Sequence, residues 1–535
     1  MKQFEATWRE KFEFFERVYD TDLQRSIKRK VDLPYEWFEE NSRGLYSSIL
    51  DEKVRLEKKQ GSSKQGRDNY GYLAPDYRNI RDNYWNKEDG YNNTPKIWYL
   101  DIETRVGTCS SGFPVPEKAA EPISLIQIYD NKENVIIMLG LRDWKHQARY
   151  KEQFEYPVKY VKCNDEIHLI ETYLGLFKKL DPLIIYAWNG DNFDFPYIHN
   201  RLKNLGMNTN QMSNYGNVSY SEREFQNQLE FSIKTDGHFY IDLMQVYKKF
   251  VFAPRPSYSL DTISQIELGE RKVEHSEYAG FDAFYTGDYI LPKDPTEDQL
   301  NSDIYQEVLK NGLTEEAREL AHSEFCFYGY KDPLLIKKID DKQNFTTLML
   351  MIASKMGVTL GDSLGTVKPW AQYISNKSML DMKVMPSKGE NDDPHVVGGY
   401  VRDPQKGKHK WVLSADVNSM YPLLGMVGFN MSPETYIPKH KLPPELRDIV
   451  LQYFNDQDEF KRFSIPPEIW AKTTELLKEH KLSLGINGAV FTAEKEGMVP
   501  EMIQEIYKSR KIAKKTMFKY ETQKVLIKQI LKERL

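Results

Sequence analysis

Short apolar runs set among helical patterns constrain this chain more than any other feature of its sequence. Ile97-Trp98-Tyr99-Leu100, Leu183-Ile184-Ile185-Tyr186-Ala187 and Trp411-Val412-Leu413 are too short for buried helices and read as buried strands. Helical periodicity covers Glu166 to Leu180 and Phe195 to Leu205. Strands alternating with helices predict an α/β layer architecture, and no internal repeat is found. At 535 residues the chain exceeds what one core usually supports, which predicts three or four structural units. Residues 1 to about 95 are polar and rich in Tyr and Asn; the run Lys53 to Arg67, with Gly61-Ser62-Ser63 inside it, reads as a mobile loop. From Pro500 the pattern is one long helix: Pro suits a first helical turn, and neither Gly nor Pro follows it. That helix runs to Leu535 without a Gly cap, which predicts further structure beyond it.

Composition narrows the class. Hydrophobic residues make up 40% and charged residues 29%, and mean hydropathy is −0.64, as expected of a soluble globular protein. No apolar run approaches the roughly 20 residues needed to cross a bilayer. Met1-Lys2-Gln3-Phe4-Glu5 lacks the apolar stretch of a secretory signal. Cys109, Cys163 and Cys326 are too few and too widely spaced for a disulfide framework or a zinc cluster, so a reducing cytoplasm is expected. A net charge of −5 gives no global argument for nucleic-acid binding. From Pro500 onward, however, ten Lys/Arg stand against four Glu. Such a helix could contact phosphate, although charge alone favours a solvated face.

The chemistry-bearing residues are acids at strand ends. Asp101-Ile102-Glu103 follows the run ending at Leu100, and residues i and i+2 of an extended chain point to one side. Asp194 closes Asn189-Gly190-Asp191-Asn192-Phe193-Asp194, just past the second strand. Tyr328-Gly329-Tyr330-Lys331-Asp332 opens an expected helix through Asp340. Two of these three clusters sit where α/β folds gather their sites. Four acids brought together repel unless cations neutralise them, and oxygen-only ligands select Mg²⁺ or Mn²⁺. Two such ions about 3.5–4 Å apart suit phosphodiester hydrolysis. Taken singly, each cluster more often marks a turn, a cap or a loop.

In order and spacing, these segments resemble the three exonuclease motifs of the DEDDy proofreading nucleases. The resemblance implies Asp101, Glu103, Asp194 and Asp332 as catalytic metal ligands, with Tyr328 supporting the nucleophile. A second constellation, Asp416-Val417-Asn418-Ser419-Met420-Tyr421-Pro422, follows the third apolar run. An Asp at a strand end can hold Mg²⁺, and the amides after it can meet a triphosphate; the plain alternative is a turn with Tyr421 in the core. The segment is similar to polymerase motif A of family B enzymes, with Met420 in place of the usual Leu, a swap that keeps apolar bulk. Pro256 to Asp261, Gly365 to Trp370 and Met431 to Thr435 also look like T-even-like phage polymerases. Arg510 and Lys514 are spaced i, i+4 on the terminal helix. The resemblance gives them the phosphates of the incoming nucleotide, with Ser419, Met420 and Tyr421 also at the nucleotide and Asp416 as catalytic metal ligand. Val396, before Gly398-Gly399-Tyr400, stands where the family commonly has Tyr.

The resemblance implies an RNase H-like 3′–5′ exonuclease domain with an N-terminal α+β region, a partial α+β palm and a helical start of the fingers. The expected boundaries are 1–95 (N-terminal domain), 96–344 (exonuclease), 345–387 (a segment returning to the N-terminal domain), 388–496 (partial palm) and 497–535 (first fingers helix). Two Mg²⁺ or Mn²⁺ ions per site are implied as cofactors. Implied partners are primer-template DNA, single-stranded 3′ ends, dNTP, a C-terminal polymerase chain in trans and a sliding clamp reached through that chain. The implied setting is the cytoplasm of an infected bacterium. The family's Tyr-Gly-Asp-Thr-Asp-Ser segment does not occur, and Tyr285-Thr286-Gly287-Asp288 lies in the exonuclease region instead. The expectation is therefore half of a split replicative polymerase; a truncated product, a stand-alone exonuclease and a non-catalytic DNA-binding scaffold are the alternatives.

Overall fold

The computed structural model describes residues 1–11, 13–49, 52–59, 70–107, 114–225, 228–385, 403–415, 419–454, 465–485 and 487–534. Its contacts group into two compact units: residues 1–35, 59–62 and 73–373 form one, and 36–58, 63–72 and 374–535 the other. No helix among the described residues is long and apolar enough to cross a membrane.

Unit one opens with an antiparallel sheet of β1 (Lys2–Glu10), β2 (Glu13–Asp20) and β3 (Arg25–Val31). A six-stranded sheet follows, built from β4 (Ile97–Thr104), β5 (Ile123–Asp130), β6 (Val135–Gly140), β7 (Val158–Lys162), β8 (Ile184–Ala187) and β9 (Phe239–Asp242). Its order is β7-β6-β5-β4-β8-β9, and β5 alone runs against the other five. Both faces of this sheet are covered, so its central strands are apolar on both sides. Along β4, Ile97 and Tyr99 enter one core, whereas Trp98, Leu100 and Ile102 enter the other. The same alternation puts Leu125 and Tyr129 of β5 in the first core and Ile126 and Ile128 in the second.

Helix α1 spans Glu166–Leu180, as its periodicity predicts, with the Asp165 carboxylate accepting the His168 N–H as N-cap. Helix α2 spans Asp194–Asn204. The Tyr328–Asp332 segment does not open a helix; it lies in the middle of α3 (Glu315–Gln343), a 29-residue helix covering the first core. Tyr99 pins this helix by donating its hydroxyl to Asp340 Oδ2 at 2.6 Å.

Arg17 of β2 ties the N-terminal sheet to the larger one. Its guanidinium is buried, pairs with Glu5 at 2.8 Å, and donates to the carbonyls of Gly237 at 3.0 Å and Asp181 at 2.8 Å. These contacts pack the N-terminal sheet against the larger one.

Unit two differs from expectation at two points. Lys53–Lys59 is a strand, pairing with Tyr46–Ser48, because Val54 and Leu56 alternate with charged residues and Val54 is fully buried. The remainder of that expected loop, residues 60–67, lies outside the described residues. Trp411-Val412-Leu413 is not a buried strand: the three residues are 98%, 76% and 92% exposed and take no regular structure. An apolar run becomes a strand only where a neighbour accepts its hydrogen bonds. Helix α4 spans Met498–Arg534, so the long terminal helix is present and begins two residues before Pro500.

The Arg17 contact yields a pH prediction. His238 is fully buried beside it, its Nε2 accepts the Asn214 N–H at 3.1 Å, and its Nδ1 donates to the Pro182 carbonyl at 2.6 Å, so the ring is neutral. Burial first, then the Arg17 charge, lowers its pKa to about 3. The unfolded chain therefore binds a proton near pH 6.5 that the native chain refuses, and stability falls as pH drops below that point. By pH 4 this group alone should remove roughly 3 kcal/mol. Urea midpoints for wild type and His238→Gln should diverge between pH 6.5 and 4, with wild type falling faster; parallel curves would contradict this.

Candidate active site

The period of two that fills the cores also builds the acidic cluster. Asp101 and Glu103 do not follow the strand; they lie within β4 and continue the Ile97/Tyr99 face toward α3. On α3, Tyr328 and Asp332 are one helical turn apart and so meet the same patch of sheet. Glycine at 329 permits the close approach, since a Cβ there would come within 2.6 Å of the Leu125 side chain. One carboxylate oxygen each from Asp101, Glu103 and Asp332 lies within 4.8 Å of the others.

Asp194 reaches the cluster by another route. It begins α2 after the turn following β8, and its Oδ1 accepts the N–H of Ile102, the residue between Asp101 and Glu103, at 3.2 Å. It stands beside the compact trio rather than inside it. Asp242 supports that turn by accepting the Asn189 N–H at 2.9 Å.

Three residues that sequence reasoning passed over complete the site. Gln127, on β5 opposite Asp101, places its Nε2 2.7 Å from Asp101 Oδ2 and 3.3 Å from Glu103 Oε1. Lys272 sets its ammonium 2.6 Å from Asp332 Oδ2 and 4.6 Å above the Tyr328 ring. His275 packs on Tyr328 with ring centroids 5.6 Å apart. An amide inside the apolar run Ile123-Ser124-Leu125-Ile126-Gln127-Ile128 was the one available signal. Lys272 and His275 sit in a polar stretch with none.

Electrostatics follow from this crowding. Loss of water, then the charges of Asp332, Glu103 and Asp194, raises the Asp101 carboxyl well above the usual carboxylate range. Glu103 is raised by burial first and Asp332 next. Burial pushes Asp194 up to about 7, although backbone N–H groups favour its anion. Asp332 is raised by burial while Lys272 opposes the shift. Burial disfavours the Lys272 ammonium most strongly, yet Asp332, Tyr328 and the other acids hold its pKa well above the ordinary lysine value. Burial and then Asp332 raise the Tyr328 hydroxyl, which stays protonated. These acids floor a cleft of about 360 Å³ whose walls include Trp188, Phe193, His275, Phe281 and Tyr328. An all-oxygen set at this spacing fits hard divalent cations, whose charge would offset the repulsion.

The second constellation is only partly placed. Asp416 lies outside the described residues, as do Val396 and the Gly398-Gly399-Tyr400 segment. Ser419 adopts a left-handed conformation with φ 53°, and Met420–Val427 forms a π-helical turn packed against α4. Tyr421 is 72% exposed, so it is not core. Arg510 and Lys514 are exposed on α4, with the Lys514 ammonium over the Phe518 ring at 5.6 Å. Asp288 of Tyr285-Thr286-Gly287-Asp288 pairs with Arg318 and accepts from Thr286, which ties the turn to α3.

Comparison with known proteins finds two matched stretches along the chain. Residues 69–263 match the family model for the DNA polymerase family B exonuclease domain, and residues 343–534 match that for DNA polymerase family B. The chain is 25% identical over 515 residues to the DNA-directed DNA polymerase of Escherichia phage RB69, covering 92% of this chain and 49% of that protein. Against the DNA-directed DNA polymerase of Enterobacteria phage T4, identity is 23% over 440 residues, covering 78% and 42%. A DNA polymerase of Thermococcus litoralis is 23% identical over 312 residues, 56% of this chain and 16% of its own. The chain spans about half the length of the curated phage relatives it matches. Two matches to one family, the first over the carboxylate strand and the second over the turn and basic helix, lead to a single assignment: the chain belongs to the family B DNA polymerases.

Proposed function

We propose that this chain removes nucleotides from 3′ ends of DNA at the Asp101–Glu103–Asp194–Asp332 cluster, and that Asp416, Ser419 to Tyr421, Arg510 and Lys514 belong to a nucleotidyl-transfer site. The convergence of three carboxylates within 4.8 Å at the floor of an aromatic-walled cleft carries the nuclease half. The mixed sheet with one reversed strand supports the RNase H-like reading, and the five-part division by sequence is retained within this proposal.

Asp101, Glu103, Asp194 and Asp332 would hold two Mg²⁺ or Mn²⁺ ions, which when bound supply an activated water and stabilise the leaving oxygen. The protein's own groups do the rest. Tyr328 keeps its Oη proton and donates it as a hydrogen bond to the attacking water or the scissile phosphate. Lys272 holds Asp332 in its anionic form and adds positive charge beside the phosphate. Phe193 and the other wall aromatics offer stacking faces to unpaired bases. Contacts to DNA run mainly through phosphates, so binding is salt-sensitive and indifferent to sequence.

For synthesis, these 535 residues contain one polymerase acidic motif and no Tyr-Gly-Asp-Thr-Asp-Ser segment. Nucleotidyl transfer needs a second metal-binding carboxylate. We assign it to a C-terminal polymerase chain acting in trans, with a sliding clamp engaged through that chain, in the cytoplasm of a phage-infected bacterium.

Labelled single-stranded DNA tests the first half. Wild type should shorten it from the 3′ end with Mg²⁺ and stop in EDTA. Asp101→Ala should cut the rate about 10³-fold, several kcal/mol of lost transition-state stabilisation, and Tyr328→Phe about 10²-fold. In EDTA, Asp101→Asn should unfold at or above the wild-type temperature, because one of several repelling acids is gone. Metal-independent digestion, or an unaffected Asp101→Ala, would refute the nuclease assignment. Primer extension tests the second half: synthesis should appear only when the C-terminal chain is added, and robust synthesis without it contradicts that part.

A further inference from the structure

Gln127 is fully buried, directly opposite Asp101 in the β4–β5 register, on the face that holds the acids. Its Nε2 lies 2.7 Å from Asp101 Oδ2 and 3.3 Å from Glu103 Oε1. Both neighbours are carboxylate oxygens, which accept only, so the donor end of the amide must face them. One –NH₂ group has two hydrogens, and here there is one acid for each. The far end of the amide is left in an unfavourable state: Oε1 is buried with no hydrogen-bond partner. Met or Leu would fill this place without stranding Oε1, so the filling of space does not account for the choice of Gln; its two N–H groups do.

We infer that Gln127 is a positioning residue that clamps one oxygen of Asp101 and one of Glu103, fixing their rotamers so that the opposite oxygens face the divalent cations together. The remaining acids are held in the same way, Asp194 by the Ile102 N–H and Asp332 by Lys272, so each presents a pre-set oxygen. What sets Gln127 apart is that a single side chain sets the spacing between two ligands. Groups behind metal ligands typically tune metal affinity or activity 10- to 100-fold. The inference rests on the nuclease reading above.

The test uses the full chain and Mn²⁺ as probe. Gln127→Met keeps length and apolar bulk but removes both donors, and Gln127→Leu serves as a second variant should Met disturb folding. Calorimetric titration should show Mn²⁺ affinity reduced about 10- to 100-fold. The Mg²⁺ concentration giving half-maximal digestion of 3′-labelled single-stranded DNA should rise in parallel, with the rate at saturating Mg²⁺ falling less. A lower unfolding temperature in EDTA reports the two lost amide hydrogen bonds, whereas reduced Mn²⁺ affinity in folded protein is a change that a merely structural role would not produce. Folded variants with wild-type Mn²⁺ affinity and unchanged Mg²⁺ dependence overturn the inference while leaving the nuclease reading intact. Wild-type protein that binds no Mn²⁺ and digests no DNA overturns that reading, and this inference with it.

Discussion

Like charges that water would normally separate are forced together at the heart of unit one. Asp101, Glu103 and Asp332 bring oxygens within 4.8 Å of one another, with Asp194 one backbone amide away. Left to themselves, such groups would protonate or move apart. Two buried cores prevent the second outcome: β4 is locked between β5 and β8, and α3 is fastened across it by Tyr99 and Asp340. The rest of the unit can be understood as the scaffold that sustains this unfavourable arrangement, and a site able to recruit cations is its consequence.

The partial compensation is local. Lys272 places one positive charge on Asp332, the Gln127 amide faces two acids, and the Ile102 N–H meets the fourth. One ammonium among four carboxylates leaves a net deficit of positive charge; burial first, and at Asp101 and Glu103 the neighbouring acids next, raises these carboxyls. The same physics acts in reverse at Arg17, a buried cation surrounded by Glu5, Asp181 and backbone carbonyls, which fastens the N-terminal sheet and adds to burial in keeping His238 neutral.

How much of this could be read from the sequence follows from the range of each interaction. The i, i+2 pair Asp101/Glu103 is a backbone periodicity, so its shared face was legible, whereas Tyr328 and Asp332 were expected to open a helix and instead lie in the middle of one. Helix α1 was legible to the residue from its periodicity, and in the structure Asp165 caps it. The expectation that β4 ends at Leu100 failed because charged residues mask a strand that continues through Glu103. Charge likewise hid the strand Lys53–Lys59, and apolarity alone suggested one at Trp411-Val412-Leu413 where no regular structure forms. Gln127, Lys272 and His275 depend on which strand pairs with which and where a loop returns, and local sequence does not encode that. Tyr421 illustrates the same limit: its motif was recognisable, but its exposure was not.

Crystals of the full chain soaked in Mn²⁺, with anomalous diffraction data, test the central claim most directly. Two peaks should appear at the cleft floor, their ligands drawn from Asp101, Glu103, Asp194 and Asp332 at about 2.0–2.2 Å. Absence of anomalous density there, with the four carboxylates keeping their positions, would contradict the claim that this cluster exists to hold divalent cations.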